Sequence, residues 1–156
     1  MNKSDFLERL LTALQAELQY AVNAAKDAAE YATNDESRAE SQWDTQGLEA
    51  SYLAAGQAGQ ARQYAAAVEE LRTRREALLQ PKDRVAHGAL FSCDFGDAPE
   101  NFFYASVAGG QVVEMDGSAI TVITSQSPLI ARLRGLRAGE SFHLANGSIG
   151  QVLTIA

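Results

Sequence analysis

The first half of the chain repeats apolar residues at helical spacing. Leucines and alanines alternate four and three positions apart, at Leu7, Leu11, Leu14, Leu18, Ala21, Ala25 and Ala28. This heptad seam predicts a long helix, with Ser4 as its N-cap. A second seam runs through Tyr64, Val68, Leu71, Arg75 and Leu78, and Pro81 follows where a helix should stop. Two long helices that each bury one stripe predict an antiparallel helical hairpin, a coiled coil.

After Pro81 the pattern changes to short runs of β-branched and aromatic residues separated by glycines. These runs predict strands over residues 89–93, 102–107, 111–114, 120–124, 141–144 and 149–155. Asn146-Gly147 predicts a hairpin turn between the last two. We therefore predict an α+β chain, with the hairpin over residues 1–80 and a small antiparallel sheet domain over residues 84–156.

One short helix is predicted inside the sheet domain. Ser127 can serve as its N-cap, Pro128 suits the first helical position, and Gly135 can close it. Arg132 and Arg134 lie on this segment and could contact an acidic partner surface or simply solvate the helix.

Composition and charge narrow the classes of function. The chain has 156 residues, 46% of them hydrophobic, and a net charge of −7. This charge disfavours general DNA binding, because contacts to phosphates need a basic face. A single cysteine, Cys93, excludes an internal disulfide, and we expect it to act as a small buried hydrophobe. No apolar run is long enough for a signal peptide or a membrane span, so we expect a cytoplasmic protein without a membrane partner.

Acidic residues concentrate near the predicted end of the hairpin, around residues 40–49. Glu36, Glu40 and Asp44 are spaced four apart, which stacks like charges on one helix face at a cost of about a few tenths of a kcal/mol per pair. Trp43, the only tryptophan, lies beside them, where no core can bury it. A charge run usually marks a solvated face, but the exposed aromatic favours a contact surface.

Carboxylates at the end of a narrow hairpin cannot form a catalytic pocket alone, because nothing there excludes water. They could lend one or two oxygens to a Mg²⁺ ion whose other ligands belong to a partner, since Mg²⁺ is commonly held by few carboxylates together with phosphates and waters. Such a chain would act on the partner's active site and would not be an enzyme itself.

Two separated segments resemble the bacterial GreA/GreB transcript cleavage factors. In the sheet domain the matching residues are Ser127, Pro128, Leu129, Leu133, Gly135, Gly139 and Glu140. In the hairpin, Asp44 precedes a Tyr-x-Ala-Ala run over residues 52–55, which is similar to the family's tip motif. Since the order of hairpin and sheet domain also agrees, the resemblance covers essentially the whole chain.

The resemblance implies a role in transcription elongation. Such factors bind RNA polymerase at its secondary channel, where an FKBP-like C-terminal domain docks on the rim and the coiled coil enters the pore. Two tip carboxylates then help to hold the second Mg²⁺, and the polymerase hydrolyses backtracked RNA.

Carried over to this chain, the resemblance implies a Mg²⁺ ion shared with the polymerase at Asp44, with Glu49 and Glu40 as candidate second ligands. It also implies indirect contact with nascent RNA, and we expect a monomer. The candidate residues for contact with the polymerase are Trp43, Ser127, Pro128, Leu129, Arg132 and Arg134.

The chain departs from the family pattern at both motifs. The family's second tip acid comes three residues after the first, where this chain has Gly47, and the next acid is Glu49. The segment from Asp44 to Tyr52 is also one residue longer, and one inserted residue rotates a helix by about 100°. Gln126 stands where an acid commonly precedes Ser-Pro. Assistance of Mg²⁺-dependent RNA cleavage and inhibition by occupation of the channel therefore both stay open, and we expect the cleavage to be weak or absent.

Two other classes of function stay open. An FKBP-like domain could isomerise prolyl bonds, with a pocket of Phe91, Phe102, Phe103, Tyr104 and Phe142, although only analogy of fold supports this. The chain could also be a coiled-coil adaptor without a link to the polymerase. Neither histidine stands in a catalytic motif, so both are expected to be surface or structural residues.

Overall fold

The structure, a computed structural model, describes residues 1–33 and 46–156. Long N-terminal helices precede a six-stranded sheet with one short helix, which confirms the predicted α+β class. The helices are α1 (Lys3–Thr33), α2 (Gln46–Thr73), α3 (Arg75–Leu79) and α4 (Pro128–Leu133). The strands are β1 (Leu90–Asp94), β2 (Glu100–Tyr104), β3 (Val112–Met115), β4 (Ser118–Ile123), β5 (Ser141–His143) and β6 (Ile149–Ile155).

The chain divides into two compact units. One consists of Met1–Leu11 together with Glu70–Ala156, and the other is Thr12–Glu69. The beginning of α1 and the end of α2 are therefore grouped with the sheet. The domain limits 1–80 and 84–156 remain a prediction.

The apolar seams explain which helical residues are buried. Every predicted seam position of α1 is buried or half-buried, and Phe6 and Leu10 are buried beside them. In the second seam, Arg75 is a charged residue at an apolar position. Its Nη2 donates to Glu8 Oε1 at 2.9 Å and to Ser4 Oγ at 3.2 Å, so its charge is paired where the seam would otherwise be apolar.

The N-cap residue of α1 differs from the sequence prediction. Asn2, rather than Ser4, is the residue that caps the helix, because its Oδ1 accepts from the backbone N–H of Ser4 at 2.9 Å and of Asp5 at 3.4 Å. The prediction of Ser4 as N-cap was therefore wrong. The Ser4 hydroxyl is instead an acceptor for Arg75.

The strand order is β3-β4-β2-β1-β6-β5. All neighbours pair antiparallel except β2 and β4, which are parallel, so the sheet is mixed rather than wholly antiparallel as predicted. A two-residue turn at Asp116 and Gly117, with φ of 54° and 75°, folds β4 back onto β3. Strand β4 buries Ile120, Val122 and Ile123, whereas every second residue of β3 is exposed. The more apolar β4 therefore takes the inner position beside β2, and β3 is left at the edge.

The sheet has apolar side chains on both faces. One face carries Phe91, Cys93, Phe102 and Tyr104, which form a buried cluster with residues of α4. On the other face, Phe103 packs against Phe6 of α1, with ring centroids 4.9 Å apart. The first turns of α1 thus cover the side of the sheet that α4 leaves open.

Candidate functional site

Helix α4 begins and ends at the residues that the sequence predicts. Ser127 is its N-cap residue in extended conformation, Pro128 is the first helical residue, and Gly135 follows the helix with φ of 87°. The predicted hydroxyl cap is not formed, since the Ser127 side chain makes no capping hydrogen bond. Ile130 and Leu133, at 1% and 0% exposure, hold the helix on the core. The N-terminal end of α4 remains at the surface, where Gln126 and Pro128 are exposed.

An open surface cavity of about 400 Å³ adjoins the start of α4. Its lining residues are Gly109, Gly110, Thr121, Val122, Ile123, Thr124, Gln126 and Ser127. The backbone of Gly109 comes so close to Thr124 that an added Cβ would lie 2.9 Å from Thr124 Cγ2. The threonine, serine and glutamine side chains of this lining place hydroxyl and amide groups beside the Ser-Pro motif.

The arginines of the α4 segment have partners within the protein. Arg132 Nη1 donates to the carbonyl of His143 at 2.8 Å, which ties α4 to β5. Arg134 Nη2 donates to the Tyr104 hydroxyl at 2.7 Å. Leu129 is half-buried against the core. Each guanidinium keeps further N–H donors, so these bonds leave a role in partner contact open.

Of the three candidate magnesium ligands, only Glu49 lies in the described part of the chain. It is exposed in the first turn of α2, where the helix dipole favours a carboxylate. Asp44 and Glu40, as well as Trp43, lie outside the described residues. Within residues 1–33 and 46–156 no group of three acidic, histidine or cysteine side chains could hold a metal ion. One carboxylate beside phosphates and waters still matches the oxygen ligands that Mg²⁺ takes when it is shared with a partner.

The five aromatic residues proposed for a prolyl isomerase pocket belong to the core. Phe91, Phe102, Phe103, Tyr104 and Phe142 are exposed by 6% at most. Phe103 lies on the opposite face of the sheet from the other four, against Phe6. These rings fill the interior, and Phe91 also borders a surface cavity of about 230 Å³ with Leu90 and Ile155.

The cysteine and the histidines occupy different environments. Cys93 is fully buried, as predicted, and burial raises the pKa of its thiol to about 12, with a smaller effect from Glu100. His143 ends β5 and is exposed. His87 is also exposed, and its ring stacks on Tyr104 with centroids 4.2 Å apart.

Sequence reasoning missed two surface features. Leu48, Tyr52 and Leu53 are 55%, 70% and 56% exposed near the start of α2, and only Tyr52 had been singled out, as part of a motif. The other feature is the grouping of His87 and Arg134 on Tyr104. No local pattern could reveal that grouping, because the three residues are far apart in the chain.

No protein-family model and no curated protein sequence matches this chain. Among solved structures, the GreA factor homolog 1 (Gfh1) protein of Thermus thermophilus matches at 19% identity and a TM-score of 0.37, over 97% of this chain and 93% of that one. Gfh1 of Thermus aquaticus matches at 18% identity and a TM-score of 0.34, over 95% and 92%. A further structure of the transcription factor Gfh1 matches at 21% identity and a TM-score of 0.37, over 96% and 92%.

In the part of the chain that the structure describes, no helix is both long enough and apolar enough to cross a bilayer.

Proposed function

We propose that this chain is a regulator of RNA polymerase that docks at the secondary channel through its sheet domain. The observation that carries the proposal is the way in which α4 is anchored on the core. The Ser-Pro-Leu sequence that resembles the family's docking element starts a helix whose apolar side is held by Ile130 and Leu133. This anchoring supports a fixed outer surface that a partner could recognise, because the buried residues prevent the helix from reorienting.

The docking surface in this proposal consists of Gln126, Ser127, Pro128 and Ala131, with the adjoining cavity. Gln126, Pro128 and Ala131 are exposed, and Ser127 is half-buried. The helix end and the neighbouring cavity form a surface whose shape a partner can complement. The charge of Arg132, at the rim of this surface, would change the rate of association.

The hairpin would carry the effect on transcription. In the complex, Asp44 and either Glu49 or Glu40 would lend carboxylate oxygens to a magnesium ion of the polymerase, and Trp43 would contact the channel wall. When bound, such an ion activates water and offsets charge on the scissile phosphate. Because Gly47 replaces the family's second acid, we expect the chain to inhibit mainly by occupying the channel. It would act as a cytoplasmic monomer with only indirect contact to nascent RNA, and without catalysis of its own.

The docking proposal is tested by a pull-down with core RNA polymerase. Ala131→Glu places a bulky charge on the outer side of α4, and we expect it to weaken binding by about tenfold or more, since interface truncations and clashes of this kind cost about 1–2 kcal/mol. Ala145→Glu, at an exposed position in the turn between β5 and β6, is the matched control and should bind like the wild type. Unchanged binding of Ala131→Glu, with circular dichroism like the wild type, would overturn the proposed docking surface.

The effect on transcription is tested on a stalled, backtracked elongation complex with and without the protein. We expect slower elongation and little RNA cleavage. A protein that neither binds the polymerase nor changes elongation would favour the adaptor alternative. A proline-peptide isomerisation assay, in which we expect no turnover, tests the enzyme alternative.

A further inference from the structure

Three basic side chains form a cluster in the unit that contains the sheet. Arg74 lies between α2 and α3, His87 in the loop before β1, and Arg134 directly after α4. His87 and Arg134 both contact Tyr104. Arg74 Nη1 donates to Glu70 Oε1, which also accepts from Ser106, two residues after Tyr104. The residues come from three separate segments, and the fold alone brings them together.

Tyr104 is the support on which two members of the cluster rest. Its side chain is fully buried, so its position is fixed by the core. The His87 ring stacks on it at an interplanar angle of 26° and a centroid distance of 4.2 Å. Arg134 Nη2 donates to the phenol oxygen at 2.7 Å, and the Arg134 Cζ atom lies 5.9 Å from the ring centroid. One tyrosine therefore holds an imidazole and a guanidinium in place before any ligand arrives.

The carboxylate of Glu70, beside the cluster, is already bonded to two side chains. Glu70 Oε1 accepts from Arg74 Nη1 at 3.3 Å and from Ser106 Oγ at 3.1 Å. Among the residues that the structure describes, no carboxylate pairs with His87 or with Arg134. Lys82, in the same loop as His87, donates to the carbonyl of Ala77. The cluster is left with positive charge in excess of its carboxylates.

The state of His87 agrees with this excess of positive charge. Burial lowers the pKa of the imidazole, and the nearby charges of Arg74 and Arg134 lower it further. An anion bound beside the ring would oppose both guanidinium charges and would favour the imidazolium.

We propose that Arg74, His87 and Arg134 form a binding site for a small oxyanion with two negative charges, of the phosphate class. The planar guanidinium groups suit two phosphate oxygens at once, and the imidazolium can donate a further hydrogen bond. The phosphate could be free inorganic phosphate or the terminal group of a nucleoside diphosphate. Arg134 is also a candidate contact for RNA polymerase, so the phosphate site is tested without the polymerase.

The site is tested by NMR titration of the full chain, whose only histidines are His87 and His143. Sulfate serves as the first probe, because it stays doubly charged throughout the titration, with chloride at matched ionic strength as reference. We expect sulfate to raise the pKa of His87 by about one unit and to leave His143 unchanged. An equal change at both histidines, or no change at His87, would overturn the proposal.

Inorganic phosphate and adenosine diphosphate then identify the source of the phosphate group. Both are titrated at constant pH while the backbone signals of Gly88 and Arg134 are followed. Tighter binding of the diphosphate identifies the nucleotide as the ligand, and equal binding identifies the phosphate group alone. Absence of saturable shifts with either probe contradicts the site.

Matched arginine variants assign the site to its residues. Arg74→Gln and Arg134→Gln should each weaken phosphate binding by about tenfold, because each removes a charge-assisted hydrogen bond to the phosphate. Arg132→Gln, which removes a guanidinium that bonds His143 instead, should bind like the wild type. Arg134→Gln also loses the bond to Tyr104, so Arg74→Gln, at a side chain that is 54% exposed, is the variant expected to leave the fold intact. Wild-type affinity in a folded Arg74→Gln protein would overturn the assignment.

Discussion

At the scale of single residues, Gly150 of β6 has no room for a side chain. It lies directly opposite Phe142 of β5. A Cβ at this position would lie 2.5 Å from Phe142 Cζ and 3.0 Å from the backbone oxygen of Asp94. The Phe142 ring is buried and packs edge-on against Phe95 at 5.7 Å, so it cannot move aside freely.

We therefore expect Gly150→Ala to lower the free energy of unfolding by about 1–3 kcal/mol, as overpacked cores do. Urea denaturation followed by circular dichroism measures the change. Gly56→Ala is the control, because no atom lies within 4 Å of a Cβ at Gly56 and the residue is inside α2. That substitution should stabilise the protein by about 0.5–1 kcal/mol. A harmless Gly150→Ala variant would contradict the close packing of Phe142.

Lys3 makes the free energy of unfolding depend on pH in the alkaline range. Its Nζ donates to the carbonyl of Gln80 at 2.9 Å. Burial lowers the pKa of Lys3 from 10.5 to about 8, with a smaller contribution from the charge of Lys82. Between these two values the unfolded chain binds more protons at Lys3 than the folded chain, so Lys3 makes the free energy of unfolding rise with pH. The raised pKa of Cys93, from 9.0 to about 12, has the opposite effect above about pH 9.

We expect the free energy of unfolding to increase between about pH 8 and pH 9, where the lowered pKa of Lys3 acts and the raised pKa of Cys93 does not yet oppose it. Lys3→Gln should flatten this part of the profile, and Lys82→Gln should make the rise smaller. Urea denaturation at several pH values measures the three profiles. An identical rise in Lys3→Gln would assign the effect to other groups.

At the scale of elements, the beginning of α1 is part of the sheet unit. Phe6 packs on Phe103, and Leu7 and Leu10 are buried. A fragment that starts at residue 84 would lose these residues and expose one apolar face of the sheet. Met1–Leu11 and Glu70–Ala156 together form one compact unit.

We expect a chain in which a short glycine-serine linker replaces residues 12–69 to fold cooperatively, because flexible loops of moderate length cost little closure entropy. The fragment 84–156 should be markedly less stable in urea. In the polymerase pull-down the shortened chain should still bind, and it should leave elongation unchanged because it lacks the acidic tip. Equal stability of the two shortened proteins would contradict the assignment of α1 to the sheet unit.

At the scale of the whole molecule, charge is distributed unevenly along the sequence. Residues 27–49 contain seven acids and one base, whereas most of the arginines follow residue 61. In the proposed complex the acidic segment approaches the polymerase active site. The tip is then the part of the molecule that distinguishes a cleavage factor from an inhibitor.

We expect Asp44→Asn to abolish any stimulated cleavage of backtracked RNA without weakening binding, because the amide keeps the shape and loses the charge. Gly47→Glu restores an acid three residues after Asp44 and should increase cleavage. Both are measured on a stalled elongation complex, with the pull-down as the binding control. Strong cleavage by the wild type that survives Asp44→Asn would contradict this role of the tip.

The sequence by itself determined the elements of this protein. Heptad spacing identified the buried stripe of α1 from Leu7 to Ala28, because helical periodicity depends only on nearby residues. Alternating apolar runs located all six strands to within a few residues. Ser127, Pro128 and Gly135 marked α4 because capping and turn preferences act over a few residues.

Only the tertiary structure decided how these elements combine. Strand β4 pairs in parallel with β2 and lies inside β3. It buries Ile120, Val122 and Ile123, whereas every second residue of β3 is exposed. Phe6 joined the sheet unit because Phe103 faces it across a long separation in the chain. The meeting of Arg74, His87 and Arg134 has the same origin. Such contacts depend on competition for burial between distant segments, and no short window of sequence contains that information.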